Sequence, residues 1–162
     1  MILSELMTQV RGLSFGKKDS SSEKFEDSIP VLRAGNIKDG RILEEDYVYV
    51  PSSLVKEKQI LKKGDVLIAA SSGSISVVGK AAMVEKDMKA SFGAFCKVLR
   101  PNNEVEKRYF KHFFETDYYK RTIKGLAEGA NINNLKTEHF DNLDLPLPPL
   151  EQQKKIAAIL YA

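Results

Sequence analysis

Apolar residues along this chain follow two spacings, and each spacing marks a different element. Leu3, Leu6, Met7 and Val10 recur at helical intervals after Ser4, which predicts a short opening helix capped by that serine and ended near Gly12. Residues 13–15 read as a strand. Ile29-Pro-Val-Leu-Arg33 is a compact extended run. Asp39-Gly40, between it and Arg41-Ile-Leu43, marks a hairpin turn because both positions tolerate positive φ. Lys38 and Arg41 then flank an exposed tip. Tyr47-Val-Tyr-Val50 predicts another strand closed by Pro51, and residues 54–60 a helical turn or two. Lys63-Gly-Asp65 turns the chain into the buried strand Val66-Leu-Ile-Ala-Ala70. Residues 77–84 return as a strand, and residues 94–99 form a further one ended by Arg100-Pro101.

The period then becomes helical. Val105, Tyr109, Phe110, Phe113 and Phe114 mark an amphipathic helix, and Asp117 caps a second short one bearing Tyr119 and Ile123, with Gly125 as its terminator. Thr137 caps a short helix through Phe140. Leucine and proline alternate over residues 144–149, which therefore leave the preceding fold as an extended strap, since proline lacks a donor and biases its predecessor to extended backbone. A last helix over 151–162 carries Ile156, Ile159 and Leu160 opposite Lys154 and Lys155, with Glu151 favoured by the dipole of its first turn. Such a helix is about 18 Å long and marginal alone, so its apolar stripe needs a partner. The stripe ends abruptly, which favours an assembly handle over simple docking onto the same domain and suggests a piece of a longer subunit.

Composition narrows the function classes. The 162 residues, 43% of them hydrophobic, suffice for one cored domain over 1–144 with an appendage over 145–162. No signal peptide or membrane-length apolar run appears, so a cytoplasmic location is expected. One cysteine, Cys96, and two histidines make a zinc site improbable, and neither His112 nor His139 has an evident catalytic companion. The carboxylates are scattered, mostly beside lysines, with no pair that picks out acid–base chemistry. The net charge of +3 is mild, but Lys107, Arg108, Lys111, Lys120, Arg121 and Lys124 cluster against only Glu115 and Asp117. That face suits a phosphate backbone or is merely solvated.

Two loops carry candidate binding chemistry. Ser71-Ser-Gly-Ser-Ile-Ser76 combines a glycine with hydroxyls that can bond phosphate or base edges, or else their own turn. It has neither the Walker lysine spacing nor a GxGxxG. Gly129-Ala-Asn-Ile-Asn-Asn-Leu-Lys136 offers three amides; asparagine pairs bidentately with adenine and also favours turns.

Several strings then point to one family. Val31-Leu-Arg-Ala-Gly-Asn-Ile37, Lys63-Gly-Asp-Val-Leu-Ile-Ala-Ala-Ser-Ser-Gly-Ser74, Val78-Gly-Lys80, Gly93-Ala-Phe-Cys96 and Gly129-Ala-Asn-Ile-Asn-Asn-Leu135 stand in order before Leu145-Pro-Leu-Pro-Pro-Leu-Glu-Gln-Gln-Lys-Lys-Ile156. Together they resemble the target recognition domain of the specificity subunit of type I restriction-modification systems, followed by the start of a spacer helix. The resemblance implies an α/β (α+β) fold, a curved, mostly antiparallel sheet with flanking helices like the specificity domain of DNA adenine methylases. It implies a non-catalytic subunit that reads half of a bipartite DNA target. The expected partners are double-stranded DNA, a methylation subunit, a restriction subunit, and a second recognition half or a second copy of this chain. No cofactor is expected in this chain, S-adenosylmethionine belonging to the methylation subunit. An autonomous methyltransferase would need an Asn/Asp-Pro-Pro-aromatic motif, and Leu147-Pro-Pro-Leu150 has neither end of it.

Under this reading Lys17, Lys18, Lys38, Arg41 and Lys80 contact the DNA backbone or bases, with Ser72, Ser74, Asn131 and Asn133 in the loops. Ile156, Ile159 and Leu160 form the subunit or spacer interface. Since family members read different sequences, residues 16–27 and the hairpin tip at 38–41 are better base readers than the shared Ser72 or Asn131. The alternative is a scaffold that docks methyltransferase subunits with little DNA affinity of its own.

Overall fold

The computed structural model describes residues 1–129 and 133–162. Its centre is a four-stranded antiparallel sheet built from β1 (Met7–Arg11), β6 (Val66–Ala69), β7 (Ala81–Met83) and β9 (Cys96–Pro101), in the order β1-β9-β6-β7. β2 (Ser28–Leu32) pairs antiparallel with β5 (Val48–Pro51) and parallel with β8 (Ser91–Phe92) to make a smaller sheet. β3 (Ile37–Lys38) and β4 (Arg41–Ile42) form the expected hairpin, with Asp39 at φ 51° and Gly40 at φ 76°. These values suit the tight turn that matches strand twist.

The central sheet is buried on both faces. Val66, Ile68 and Leu99 point to one core, shared with α1 (Lys107–Phe113), α2 (Asp117–Gly129) and the strap residue Leu145. Leu67, Ala69 and Val98 point to the other, under Leu32, Ile37 and Phe92. The result is a layer of helices, a sheet, and a layer holding the hairpin and small sheet, which is the α+β class expected.

Burial on both faces explains the first correction. The helix expected at 3–10 is a 3-10 turn, Leu3–Leu6, followed by β1, which pairs with β9 from Met7↔Pro101 to Arg11↔Lys97. Met7 enters the helix-side core and Val10 the other. Apolar residues three apart face opposite sides of a strand, and both sides are covered here, so helical spacing arises without a helix. The strand expected at 13–15 is reduced to a bridge from Leu13 to Gly93.

Other corrections concern element ends. The return strand expected over 77–84 is only Ala81–Met83, because Val77 and Lys80 close turns onto Ser74 and Val77. The strand placed at 94–99 starts later, at Cys96. Thr116 caps α2, its Oγ1 accepting from the Tyr119 N–H at 3.2 Å, and Asp117 is the first helical residue. Gly125 does not end that helix, which continues to Gly129. Thr137 likewise lies inside the 3-10 turn Thr137–Asn142, where His139 Nδ1 accepts from the Lys136 N–H at 2.9 Å. No group of three or more potential metal ligands converges among the described residues, and no helix is long and apolar enough to cross a membrane.

The strap is extended and paired with the start of the chain. Met1 donates to the Leu145 carbonyl at 3.0 Å and Leu145 donates back to Met1 at 2.8 Å. α3 (Leu150–Leu160) then packs on α1 through Ala157 and Gln153, both buried. Ile156 is half-buried against the helix-side core, whereas Ile159 and Leu160 are exposed.

Candidate nucleic-acid interface

One end of the central sheet gathers much of the candidate chemistry. At the C-terminal end of β6, Ala69 donates to the Lys80 carbonyl at 2.9 Å, and Ala70 and Ser71 both donate to the Phe95 carbonyl. Ser72 donates to the Asn133 carbonyl at 3.0 Å. Segments distant in sequence are thus tied to the continuous backbone of residues 69–72. Ser72 Oγ accepts from the Ser74 N–H at 3.1 Å, and the Ser74 and Ser76 hydroxyls are 2.8 Å apart. The serines therefore shape their own turn, and each hydroxyl oxygen still has acceptor capacity for an incoming group. Asn133 is exposed, while Asn131 lies outside the described residues.

A groove of about 1050 Å³ runs from this corner beside the edge strand β7. Its floor includes Val66, Val78, Ala81 and Met83, and its walls are the hairpin tip on one side and α1 and α2 on the other. Arg41, Lys80, Lys111, Lys120 and Lys124 line it against Asp39, Glu115 and Glu128. Lys111 is bonded to Glu85 at 3.2 Å and sits over the Tyr161 ring, and Lys124 reaches Glu128 at 3.9 Å. Arg41, Lys80 and Lys120 enter no ion pair among the described residues. They are exposed cations free to meet an anion.

The groove wall is stiff. Tyr119, fully buried on α2, donates to the Gly79 carbonyl at 2.7 Å, and its burial drives its pKa well above the usual phenol value. Tyr161 bonds Glu115 at 2.9 Å; burial and that carboxylate likewise push its phenol upward. Both rings remain neutral at physiological pH and act as structural donors. Lys97, on β9, is held by Gln9 at 3.2 Å, and desolvation together with nearby Arg11 lowers its pKa.

The structure thus brings Arg41 and Lys80 to one groove and Ser72, Ser74 and Asn133 to its corner. Lys38 is exposed on the hairpin, opposite Arg41 in register, but does not line the groove. Lys17 and Lys18 occupy the exposed turn Lys17–Asp19, between Leu13, bridged to Gly93, and Ser21, bridged to Tyr49. They do not line the groove either. Lys111, Lys120 and Lys124 were legible only as part of a basic run; the four-residue spacing puts Lys120 and Lys124 on one face of α2, whereas Lys111 stands on α1 and only the fold brings it to them.

Comparison with known sequences places this geometry. The family described as the type I restriction modification DNA specificity domain matches residues 3–162. The chain belongs to that family. This specificity domain is 42% identical over 155 residues to the StySPI specificity subunit of Salmonella potsdam, covering 96% of the chain and 34% of that protein. It is 43% identical over 155 residues to the EcoKI specificity subunit of Escherichia coli (strain K12), with 96% and 33% covered. The specificity domain therefore spans about a third of the length of the curated relatives it matches. Its fold resembles the HsdS subunit from Thermoanaerobacter tengcongensis, with a TM-score of 0.69, 20% identity, and 99% of this chain and 35% of that one covered. The S subunit from M. genitalium aligns with a TM-score of 0.66 at 16% identity, covering 99% of this chain and 37% of that one.

Proposed function

We infer that this chain reads one half of a bipartite DNA target, as a recognition domain of a non-catalytic type I specificity subunit. The observation that carries the reading is the meeting, at one corner, of the Ser72 and Asn133 loops with Lys80, beside a groove rimmed by Arg41, Lys120 and Lys124. Lys80 and Lys120, which have no carboxylate partner among the described residues, suit phosphates, which fix the domain on the duplex. Arg41 at the hairpin tip suits base edges, while the shared loop amides and hydroxyls shape the corner and suit phosphate oxygens. Methylation and restriction chemistry then belong to partner subunits, with S-adenosylmethionine held by the methylation subunit. The second half-site is read by another recognition domain or by a second copy.

The exposed Ile159 and Leu160 on α3 give the protein-contact side of the same reading, a surface for spacer or subunit packing. Selection from a random duplex library is the direct test. Enrichment of one short motif is expected, with affinity falling about 10³-fold between 50 and 200 mM salt if about six phosphates are contacted. No enriched motif, together with salt-indifferent binding, overturns the DNA reading in favour of a docking scaffold.

A further inference from the structure

Phe95 is 73% exposed, whereas every other phenylalanine among the described residues is at most 39% exposed. The backbone that carries it is held from three sides. Cys96 donates to the Gly93 carbonyl at 2.9 Å, closing a tight turn over 93–96. The Phe95 carbonyl accepts from both Ala70 and Ser71, at 3.0 and 2.9 Å, and Gly93 donates to Leu32 at 2.9 Å. Gly12 abuts the same turn so closely that an added Cβ would stand 1.9 Å from the Gly93 oxygen. Cys96, the next residue, is buried. A solvent-facing phenyl ring on so fixed a turn is a preorganised apolar contact, and its neighbour across two hydrogen bonds is the serine loop of the candidate interface.

Resting on the DNA reading above, we propose that Phe95 is an apolar wedge that stacks against a nucleobase of the bound duplex. A phenyl ring has no donor or acceptor, so it contributes through the base face, which every base offers, rather than through a hydrogen-bond pattern. The turn supplies rigidity, so little ordering is needed on contact. Phe95 is thus a base-stacking residue that acts beside the loop amides and is independent of the phosphate clamp.

The chain contains no tryptophan, which makes a direct test available. Phe95→Trp introduces one fluorophore at the wedge, and Ile159→Trp places one at a comparably exposed position, 80% for the isoleucine, on α3. Each variant is titrated with an unlabelled random-sequence 30-base-pair duplex, and binding is followed in parallel by anisotropy of a labelled copy of that duplex. Base stacking is expected to quench the indole of the Phe95→Trp variant on binding and to leave that of the Ile159→Trp variant unchanged. Phe95→Ala is expected to stay folded by circular dichroism, to bind about tenfold more weakly, and to keep the same salt slope. Binding without quenching in Phe95→Trp, or with unchanged affinity in Phe95→Ala, overturns the wedge and leaves the DNA reading standing. No binding by the unaltered chain overturns both.

Discussion

The side chain of Gln153 on α3 accepts a 2.8 Å hydrogen bond from the backbone N–H of Glu106, at the start of α1. Its amide nitrogen donates in turn to the carbonyls of Glu104 at 3.1 Å and Pro148 at 2.8 Å. Glu106 also caps α1, accepting from the Tyr109 N–H at 2.7 Å, so one glutamine ties the last helix, the strap and the start of α1 together. The residue is only 1% exposed and satisfies three backbone groups that packing would otherwise leave dry. Gln153→Leu keeps the volume and removes all three bonds. A loss of about 1–3 kcal/mol is expected, read as a lower urea midpoint with an unchanged slope. An unchanged midpoint would show that α3 is held by apolar contacts alone.

A second pin lies where the end of β9 meets the start of β6. Arg100 grips Asp65 bidentately, Nε to Oδ1 at 2.8 Å and Nη2 to Oδ2 at 2.9 Å, and Asp65 Oδ2 also accepts from the Lys62 N–H at 2.8 Å. The hydrogen bond to Asp65 raises the Arg100 pKa, against the opposing effect of burial. The carboxylate is 1% exposed and the guanidinium 22%, so the two deletions are unequal. Arg100→Met leaves a buried carboxylate without its counterion and is expected to cost about 3–5 kcal/mol. Asp65→Asn retains part of the hydrogen bonding and leaves the partly hydrated cation, so its cost should be smaller. Equal midpoint shifts in thermal or urea unfolding would contradict this order.

Much of this frame was legible in the sequence, and the failures have a common physical source. The hairpin at Asp39-Gly40, the buried run at Val66 and the aromatic helix all announce themselves through local chemistry. β1 does not, because a sheet buried on both faces removes the alternation that marks a strand. Gly125 misleads in the opposite way: a glycine inside a helix costs about 1 kcal/mol, which the packing of Tyr119, Ile123 and Ala127 offsets. At the site, Ser72 and Lys80 belong to recognisable strings. Phe95 read as strand interior, and only the turn that begins at Gly93 reveals that its ring faces outward.

Removing Arg41 and Lys80 separately distinguishes a phosphate contact from a base contact. A phosphate role for Lys80 predicts that Lys80→Ala weakens all duplexes alike and lowers the magnitude of the salt slope by about 1. Arg41, at the tip of the hairpin, is the better reader. Arg41→Ala is expected to relax the selected motif at one position, by about 1–3 kcal/mol, with smaller effects elsewhere. Selection profiles and salt titrations on both variants check the assignment, and uniform weakening by Arg41→Ala would move it to the phosphate group.

Cys96 sits directly after the proposed wedge, and burial raises its thiol pKa from 9.0 to about 12. Burial disfavours the charged thiolate, so the neutral form is the one the fold prefers. At pH 8.5 the native thiolate fraction is then roughly a thousandfold below that of an unfolded cysteine, and native protein should resist iodoacetamide while denatured protein reacts. The linkage has a definite sign. A raised pKa in the folded state adds stability that is fully present below the unfolded value and is lost as pH climbs through the folded one. Stability from this residue should accordingly decline between about pH 9 and pH 12. Cys96→Ala should flatten that part of the urea-midpoint profile while lowering the midpoint at neutral pH. Rapid alkylation of the native thiol at pH 8.5 would mean that the turn over 93–96 opens readily, and the rigid display of Phe95 would fall with it.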